Sequence, residues 1–400
     1  MRKFLIIFGL MTIVFFITSC SDSKSGKPKK EWTVLIYMNG DNSLSDSINP
    51  DINQMETSQF DEEKMNIIVQ ADYNNFASDP RPCIYNIKND EDNSTISSPK
   101  IKSLSEVDSG DWSVVANFIN WGMKEYPAEK YAVILWSHGN GWMPKNDRFS
   151  SFFPDSVTHN HISIVDGDYH NLFNSLKNKV DVLILDACNM QTIENLSELS
   201  SKVDFVVGSE QTIPDTGFPY DDVFRDWSNL DNPRDFAISA SEDYYNSYFP
   251  GGSQNYQGDN FTISISAVDM SKFQEFRSDF MDFLETNQAN ISTESFLSAR
   301  ENSVEFNDLQ WDIDIVEFLY NLKNEVDNQN INSQIDSLIT LSNELFISAK
   351  SYDYFTYYVG QATICFPKTK EDYEYLIERY EKLEIAKDTY WTQFLRNILN

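Results

Sequence analysis

A cysteine and a histidine follow two similar apolar segments of this sequence. Cys188 comes directly after residues 182–187, Val-Leu-Ile-Leu-Asp-Ala, and His138 follows residues 131–137, Tyr-Ala-Val-Ile-Leu-Trp-Ser. A cysteine attacks a carbonyl carbon as the thiolate, and a nearby imidazole is the usual group that removes its proton. The two residues therefore indicate nucleophilic catalysis, provided that the fold brings them together.

Both apolar segments have the length and composition of strands that are buried on both faces of a parallel sheet. Similar runs alternate with helical patterns along residues 31–270, which predicts an α/β fold with a mostly parallel sheet and right-handed crossovers. Ligands of such sheets bind outside the carboxyl ends of the strands. We therefore expect His138 and Cys188 to lie at one edge of the sheet.

Each residue also has a plainer explanation when it is taken alone. A single cysteine at a strand end is usually a small buried hydrophobe, and a histidine beside Trp136 is usually a hydrogen-bonded core residue. The catalytic interpretation is favoured because both residues follow strands that are expected to end at the same edge of the sheet. Gly139 allows close approach of its backbone N–H, and with the N–H of Cys188 it would form an oxyanion hole worth about 3–4 kcal/mol per donor.

The remaining patterns predict the outline of the fold. We expect strands at residues 32–38, 65–71 and 203–208, and a polar excursion at 72–111 with one short strand at 83–87. Period-two alternation at 261–268 predicts a half-exposed edge strand. We expect residues 271–400 to form a mainly helical C-terminal region that packs on a catalytic domain of residues 31–270, with strands at 354–359 and 362–366 that return to the sheet.

The first residues have the pattern of an export signal. Arg2 and Lys3 precede an apolar run of 14 residues, 4–17, and a small-residue cleavage site. A membrane-spanning helix needs ~20 residues, so a retained anchor is the weaker alternative. We assign residues 1–19 to a signal peptide.

The end of this signal, Ile-Thr-Ser-Cys, resembles the cleavage box of bacterial lipoproteins. That resemblance implies that Cys20 carries the lipid and that residues 20–30 are a flexible tether. Several acyl chains hold a protein stably at a membrane surface without a spanning helix. The expected location is the bacterial cell envelope, on its periplasmic face or at the cell surface.

Composition limits the partners of the chain. The formal charge is −31, or −33 without Arg2 and Lys3, which argues against nucleic acid as a partner. A solvated acidic exterior is the plainer explanation, and attraction of cationic substrates or calcium is the alternative. Cys83 and Cys365 are too few for a disulfide framework, and the sequence does not decide whether they pair.

Several motifs taken together resemble those of a known family. Residues 136–142, Trp-Ser-His-Gly-Asn-Gly-Trp, and 186–190, Asp-Ala-Cys-Asn-Met, resemble the His-Gly and Asp-Ala-Cys motifs of the clostripain peptidases, a group of caspase-like cysteine endopeptidases. Four further segments also match that family: residues 37–44, 208–210, 218–220 and 365–367. The resemblance extends from about residue 32 to the C-terminus, and it implies a caspase-like sheet flanked by helices.

The resemblance implies a role for each site residue. His138 would be the acid and base, Cys188 the nucleophile, and the N–H groups of Gly139 and Cys188 the oxyanion hole. Asp186, two residues before the nucleophile, would help to form a pocket for a basic P1 side chain. A second pocket acid is expected from the loop after the next strand, where Asp215 is the nearest candidate.

The resemblance also implies self-processing and a use of calcium by some members. Lys145 and Arg148 offer basic cleavage sites in the polar loop between His138 and Cys188. Calcium ligands could come from residues 166–168, Asp-Gly-Asp, or 108–111, Asp-Ser-Gly-Asp, although neither has EF-hand spacing. The chemistry itself needs no cofactor.

We therefore predict a monomeric, envelope-anchored cysteine endopeptidase that cleaves proteins or peptides after Arg or Lys. The main alternative is a catalytically inactive caspase-like lipoprotein that acts as a surface binding module. A third is an amidase or acyl-transferring enzyme that uses the same two residues on another substrate.

Overall fold

The apolar runs of the sequence form strands in the computed structural model, which describes residues 27–79, 81–142, 152–199, 201–255, 262–306, 311–353, 360–387 and 390–400. The twelve strands in this part of the chain are β1 (Lys30–Gly40), β2 (Met65–Tyr73), β3 (Cys83–Asn86), β4 (Lys100–Ser103), β5 (Ala128–Trp136), β6 (Val180–Asp186), β7 (Val203–Gly208), β8 (Thr262–Asp269), β9 (Glu305–Phe306), β10 (Asp312–Asp314), β11 (Phe346–Asp353) and β12 (Thr363–Cys365).

Nine of these strands form the central sheet, in the order β11-β8-β7-β6-β5-β1-β2-β3-β4. The five strands β7, β6, β5, β1 and β2 are parallel, and two antiparallel strands extend each side. β9, β10 and β12 form a separate antiparallel sheet. The predicted mostly parallel α/β architecture is confirmed.

Helices cover both faces of the central sheet. They are α1 (Ile48–Thr57), α2 (Trp112–Glu125), α3 (Asp168–Asn174), α4 (Ile193–Glu198), α5 (Tyr220–Trp227), α6 (Pro233–Tyr248), α7 (Met270–Asn287), α8 (Thr293–Glu301), α9 (Ile315–Glu325), α10 (Gln329–Leu345), α11 (Lys370–Tyr380), α12 (Glu384–Lys387) and α13 (Trp391–Leu399).

Two apolar cores lie on opposite faces of the sheet, and β6 contributes to both. Leu183 and Leu185 face the core that includes α2, α3, α4 and the C-terminal helices. Val182 and Ile184 face the core of α1, α5 and α6. Because both faces are buried, β6 has the continuous apolar sequence from which we predicted a central strand.

The strand predicted at the edge is not an edge strand. β8 lies between β7 and β11, and residues 263–268 are buried. Its polar residues alternate because they are buried and hydrogen-bonded: Ser264 Oγ accepts from Glu210 N, and Ser266 Oγ lies 2.9 Å from Gln191 Nε2. Small hydroxyl side chains with internal partners thus imitate the pattern of a half-exposed strand.

The segment predicted as a polar excursion contributes two strands. β3 pairs with β2 and buries Cys83, Ile84 and Tyr85, so this part of residues 72–111 belongs to the core. β4 forms the exposed edge and carries Lys100 and Lys102, charges of the kind that discourage edge-to-edge association.

The strand predicted at 362–366 exists as β12, but it belongs to the small sheet rather than the central one. β11 instead closes that side of the central sheet, by pairing with β8 across the predicted boundary at residue 270. The strand predicted at 354–359 lies outside the described residues. Cys83 and Cys365 are buried free thiols, so no disulfide joins them.

The predicted signal peptide, Cys20 and most of the tether, residues 1–26, also lie outside the described residues. None of the helices in the described part of the chain has the length and hydropathy of a membrane span.

The C-terminal helices are anchored by one buried aromatic side chain. The indole of Trp391 is fully buried and donates from Nε1 to the Cys365 carbonyl at 3.1 Å. Its ring packs against Phe280, Phe366 and Phe394, with centroids 5.8, 5.6 and 5.2 Å away. α13 is therefore joined to α7 and to the small sheet through a single cluster.

We expect Trp391→Ala to lower the free energy of unfolding by about 3–5 kcal/mol, because the change leaves a cavity and an unpaired carbonyl. Thermal unfolding followed by circular dichroism should show one transition at a lower midpoint, since the C-terminal region shares β11 and its core with the sheet. Tyr320→Ala, which removes a half-exposed ring on α9, should change stability by less than about 0.5 kcal/mol. Two transitions, only one of which responds to Trp391→Ala, would show that residues 271–400 fold independently.

Candidate functional site

The parallel register of β5 and β6 aligns the ends of the two strands. Trp136 pairs with Asp186, and His138 and Cys188 each lie two residues beyond that pair. The N–H of Ser137 donates to the carbonyl of Asp186 at 3.2 Å, so the backbone pairing continues past β5. His138 and Cys188 therefore emerge side by side at the carboxyl edge of the sheet.

Gly139 is packed directly against the backbone at Cys188. A Cβ atom at residue 139 would lie 2.4 Å from the Cys188 carbonyl oxygen and 3.0 Å from the Cys188 nitrogen. Any larger residue would push the two strand ends apart. The close approach explains why glycine follows the histidine, independently of any role for its N–H group.

A small pocket of about 60 Å³ lies over the two strand ends. It brings together His138, Cys188, Asp186 and Asp215, the four side chains that sequence reasoning placed in the site. The pocket is lined by Leu44, Trp136, Ser137, His138, Asp186, Ala187, Cys188, Ile213, Pro214, Asp215 and Gly217.

The thiol of Cys188 is held by the backbone of the loop that follows β7. The N–H of Ile213 donates to Sγ at 3.3 Å, and Sγ lies 3.8 Å from the Ile213 carbonyl oxygen. Burial raises the pKa of Cys188, the negative charges of Asp186 and Asp215 raise it further, and the Ile213 hydrogen bond opposes them. The thiol is therefore protonated at neutral pH.

The imidazole of His138 is oriented by a serine from the loop after β1. Its Nε2 lies 2.8 Å from Ser43 Oγ. Burial lowers the pKa of His138, and the charge of Asp215 opposes this shift, so the ring is neutral at pH 7. The described contacts include no hydrogen bond between the imidazole and the thiol, and both groups rest in their uncharged forms.

Hydrogen bonds from the turn after β6 hold the first residues of the loop after β7, residues 209–211, in place. Asn189 has a left-handed backbone conformation, with φ of 58°. Its backbone N–H donates to the Gln211 carbonyl at 3.0 Å, and its side-chain Nδ2 donates to the Glu210 carbonyl at 2.7 Å. The N–H of Gln191 donates to the Ser209 carbonyl at 3.0 Å. The turn that carries Cys188 and the loop that covers it are thus one hydrogen-bonded unit.

The carboxyl group of Glu210 lies inside this unit beside Asp314. Both residues are buried. Burial, and then the charge of Asp314, raise the pKa of Glu210 well above its usual range, whereas burial raises the pKa of Asp314 to about 6. Burial thus favours the protonated form of Glu210, and the described contacts include no ion pair at this acid.

Asp186 forms the inner wall of the pocket. Tyr220 donates from its hydroxyl to Oδ2 at 2.7 Å, and the N–H of Phe218 donates to the same oxygen at 3.4 Å. The described hydrogen bonds thus use only Oδ2 and leave Oδ1 for a ligand. Burial raises the pKa of Asp186 to about 6, so the carboxylate is mostly ionised at neutral pH.

A second buried acid lies behind Asp186. Asp51 accepts a 2.8 Å hydrogen bond from Trp136 Nε1, and burial, with the charge of Asp186, raises its pKa well above the usual range. Burial thus favours the protonated, neutral form of Asp51. Asp215, by contrast, is exposed at the pocket rim.

Four of these residues were not identified as site residues from the sequence: Ser43, Asp51, Ile213 and Tyr220. Ser43 and Tyr220 fall within segments 37–44 and 218–220, which were noted only as matching the clostripain pattern. Ile213 contributes through its backbone, which leaves no signal in residue type.

Other predicted sites lie elsewhere. Lys145, Arg148 and Cys20 fall outside the described residues. Asp166 forms an ion pair with Lys382 at 3.0 Å, so one acid of the 166–168 turn already has a cation. In the other candidate turn, Asp111 caps α2 by accepting from Ser113 N.

The pocket is too small for a long P1 side chain in its present form. Ligand sites commonly enclose on the order of 300 Å³ or more, against about 60 Å³ here. A larger cavity of about 480 Å³ lies between α1, β2 and β3, but its lining includes neither His138 nor Cys188. A substrate therefore requires the loop around Ile213 to withdraw.

Comparison with known proteins gives the same picture of the fold. The family model of the clostripain family, Peptidase C11, matches residues 36–397. Clostripain of Hathewaya histolytica is 26% identical over 249 residues, which are 55% of this chain and 47% of that protein. The chain thus matches about half the length of this curated relative.

Two solved structures are similar over most of the chain. One is a secreted C11 cysteine protease from Bacteroides thetaiotaomicron in complex with an irreversible peptide inhibitor, with a TM-score of 0.67 and 22% identity over 88% of this chain and 98% of that one. The other is an inactive zymogen C11 protease from Parabacteroides distasonis, with a TM-score of 0.66 and 20% identity over 91% and 99%.

These two likenesses concern the fold, and they agree with the expected caspase-like sheet. The family match rests on sequence and covers both strand ends, the loop after β7 and the C-terminal helices. The chain therefore belongs to the clostripain family of cysteine peptidases.

Proposed function

We propose that this chain is a cysteine endopeptidase that cleaves after Arg or Lys, with Cys188 as the nucleophile and His138 as the acid and base. The observation that carries the proposal is the pairing of Trp136 with Asp186, which brings both residues to one pocket. Family membership supports the reaction class. One chain supplies the complete pair of residues, which is consistent with the expected monomer.

The neutral state of both groups favours proton transfer during attack over a preformed ion pair. A substrate carbonyl enters as Ile213 withdraws from the thiol. His138 takes the thiol proton while Sγ attacks the carbonyl carbon, and the N–H groups of Gly139 and Cys188 hold the oxyanion. His138 then protonates the leaving amine, the C–N bond breaks, and water hydrolyses the thioester with His138 as the base.

A basic P1 side chain would match the charge of the pocket. Asp186 is buried near Asp51, whose own pKa is raised by burial, and the groups that shift the pKa of Asp186 include no cation. A guanidinium or ammonium group would supply the missing counter-charge at Oδ1, in surroundings where a charged hydrogen bond is strong. The exposed Asp215 would add to the attraction at the rim.

We expect Cys188→Ala and His138→Ala to lower kcat/KM by at least about 10³-fold, because each removes a group that takes part in bond making. Cleavage is measured on peptides that carry Arg, Lys, Asp or Asn at P1. Cys83→Ala is the matched control, since it removes a buried thiol distant from the pocket and should retain activity.

The same proteins test the proposal of self-cleavage at Lys145 or Arg148. Wild type should resolve into two chains on a denaturing gel, whereas Cys188→Ala should remain intact. Absence of thiol-dependent cleavage of all four peptides, even after the chain has been cut between His138 and Cys188 by an added protease, would contradict peptidase activity. It would favour the inactive binding lipoprotein.

Asp186→Asn should lower kcat/KM for Arg and Lys substrates by roughly 30- to 1000-fold and leave peptides with neutral P1 residues nearly unchanged. Because the pKa of Asp186 is raised to about 6, its charge is lost below that value. The ratio of kcat/KM for basic P1 peptides to that for neutral P1 peptides should therefore rise with pH through about 6 in wild type, and this rise in the ratio should be absent in Asp186→Asn; deprotonation of His138 affects both kinds of peptide alike.

Asp51→Asn is the matched control for this pocket. Asp51 is buried near Asp186, and burial raises its pKa well above the usual range, so replacing its carboxyl group by an amide should remove little charge and should change kcat/KM for basic substrates by less than about threefold. Equal losses in the two variants would show that Asp186 acts through packing rather than through its charge.

We also propose that residues 1–19 are a signal peptide and that Cys20 anchors the mature chain by lipid in the cell envelope. The support is the sequence pattern, together with the description of the similar Bacteroides thetaiotaomicron protease as secreted. After expression in a bacterium fed labelled palmitate, wild type should carry the label and sediment with membranes. Cys20→Ala should do neither, and equal labelling of both would disprove the assignment.

A further inference from the structure

The cavity of about 480 Å³ between α1, β2 and β3 lies on the β1 side of the catalytic pocket. The loop after β1 separates the two spaces. Leu44 lines the catalytic pocket, and the next two residues, Ser45 and Asp46, line the cavity. The volume is in the common range of ligand sites, roughly 300–1,000 Å³. The reaction steps proposed for His138 and Cys188 make no use of this cavity.

The chain holds the walls of the cavity in place with its own hydrogen bonds. The N–H of Asn74 donates to Ser45 Oγ at 3.1 Å, which joins the loop after β2 to the loop after β1. The N–H of Ser98 donates to Glu56 Oε1 at 2.5 Å, which joins the segment before β4 to α1. Because these walls are fixed before any ligand binds, little ordering has to accompany binding.

One buried side chain of the cavity wall has no hydrogen-bond partner. Asn53, on α1, lines the cavity and has 6% of its surface exposed. Its Oδ1 is unpartnered, and the described hydrogen bonds do not use its Nδ2. A buried amide group that makes no hydrogen bond is unfavourable, so Asn53 indicates a polar ligand that can both donate and accept.

The rest of the lining favours a ligand with a large apolar body and no charge. Tyr73 and Tyr85 are buried, and they line the cavity together with Ile96. The cation at this wall, Lys100, is already in an ion pair with Asp79 at 3.3 Å. Aromatic rings pack well against one another, and a phenol group adds a hydroxyl that can hydrogen-bond an amide.

The order of the strands determines which side of a substrate can reach this cavity. In the proposed reaction His138 protonates the leaving amine, and its Nε2 lies 2.8 Å from Ser43 in the loop after β1. The P1 pocket at Asp186 is covered instead by the loop after β7, on the other side of Cys188. The residues that follow the scissile bond therefore leave across the loop after β1, in the direction of the cavity.

The distance to the cavity fits a short stretch of extended substrate. Neighbouring strands are ~4.8 Å apart, so the path from β5 across β1 to β2 and β3 is about 10–14 Å long. An extended chain advances about 3.3 Å per residue. The third and fourth residues after the scissile bond would therefore lie over the cavity.

We propose that this cavity is a specificity site for the leaving-group side of the substrate, which accepts tyrosine as the third or fourth residue after the scissile bond. The inference rests on the proposed peptidase function. The substrate ring would pack against Tyr85 and Ile96, and its hydroxyl group would hydrogen-bond Asn53. Phe76, in the loop after β2, has 96% of its surface exposed and would pack over the bound segment.

The test compares two peptides that have Arg at P1 and differ only in the third and fourth residues after the scissile bond. These residues are tyrosine in one peptide and glycine in the other. Wild type, cut between His138 and Cys188 if it needs processing, should cleave the tyrosine peptide with kcat/KM at least about tenfold higher, because remote binding energy lowers the barrier. The ratio of the two kcat/KM values is the quantity compared among variants.

Three variants locate the binding of tyrosine. Ser78→Trp places an indole in the cavity from an exposed position of its lining, and should bring the ratio to about 1. Asn75→Trp is the matched control, because this exposed residue of the same loop does not line the cavity, and it should keep the wild-type ratio.

Asn53→Leu keeps the approximate size of the side chain and removes its hydrogen bonding. We expect it to lower the ratio at least about threefold. It should also raise the unfolding midpoint of the ligand-free protein, because the amide has no partner to lose. A lower midpoint would show that the amide already has a stabilising partner, such as a fixed water molecule, and would remove it from the proposed site.

Equal cleavage of the two peptides by wild type, or an unchanged ratio in Ser78→Trp, would overturn the inference and leave the proposed function standing. Cleavage of neither peptide would contradict the proposed function instead. Binding to Cys188→Ala protein then decides on the cavity, measured by fluorescence anisotropy of the two labelled peptides. The tyrosine peptide should bind at least about fivefold more tightly, and Ser78→Trp in this background should abolish the difference. Equal affinities for Cys188→Ala would overturn the inference whatever the activity.

Discussion

Backbone hydrogen bonding between β5 and β6 is the constraint on which the site depends. The strands pair in parallel from Ala132 with Val182 to Trp136 with Asp186, and His138 and Cys188 lie two residues beyond the last pair. A slip of one residue would turn every side chain of a strand to the opposite face. Because β6 is buried on both faces, such a slip would remove apolar contacts from two cores, and the register is strongly specified.

The same edge of the sheet collects Asp186, Asp51 and Asp215, for which the described part of the chain shows no ion pair. Burial, and then the charges of Asp186 and Asp215, raise the pKa of the Cys188 thiol, and burial with the charge of Asp186 raises the pKa of Asp51. A cationic P1 group at Asp186 would therefore do more than bind, because it would cancel part of the field that keeps the thiol protonated. Under the proposed function, substrate binding and activation of the nucleophile share one electrostatic cause.

Local sequence patterns were sufficient to predict the central strands and the meeting of His138 with Cys188, since both follow from apolar runs and from the geometry of parallel sheets. They were insufficient where buried polar residues have internal partners. Ser264 and Ser266 made β8 resemble an edge strand, although β11 covers it. That pairing joins segments about 80 residues apart, which no local pattern reveals.

Contacts made through the backbone, or between distant segments, were equally hidden in the sequence. Ser43 reaches His138 across 95 residues, and Ile213 reaches Cys188 across 25. The Asp-Gly-Asp turn at 166–168 attracted notice as a possible ligand set because its acids are adjacent in sequence. Asp41, Glu106 and Asp155, by contrast, come within 4.8 Å of one another in space although they are far apart along the chain.

The hydrogen bonds around the loop after β7 also limit how the pocket can open. At one end of the loop, the Gln211 carbonyl accepts from the N–H of Asn189. At the other end, the hydroxyl oxygen of Tyr248 lies 2.8 Å from Thr216 Oγ1, and this hydroxyl group donates to the Gly217 carbonyl at 2.6 Å. Movement is therefore easiest for the four residues between these anchors, 212–215. This short segment contains Ile213, which contacts the thiol, and Asp215, the exposed acid. Opening the pocket would release the nucleophile and reposition the second acid in one motion, while the strand ends that hold His138 and Cys188 stay in register.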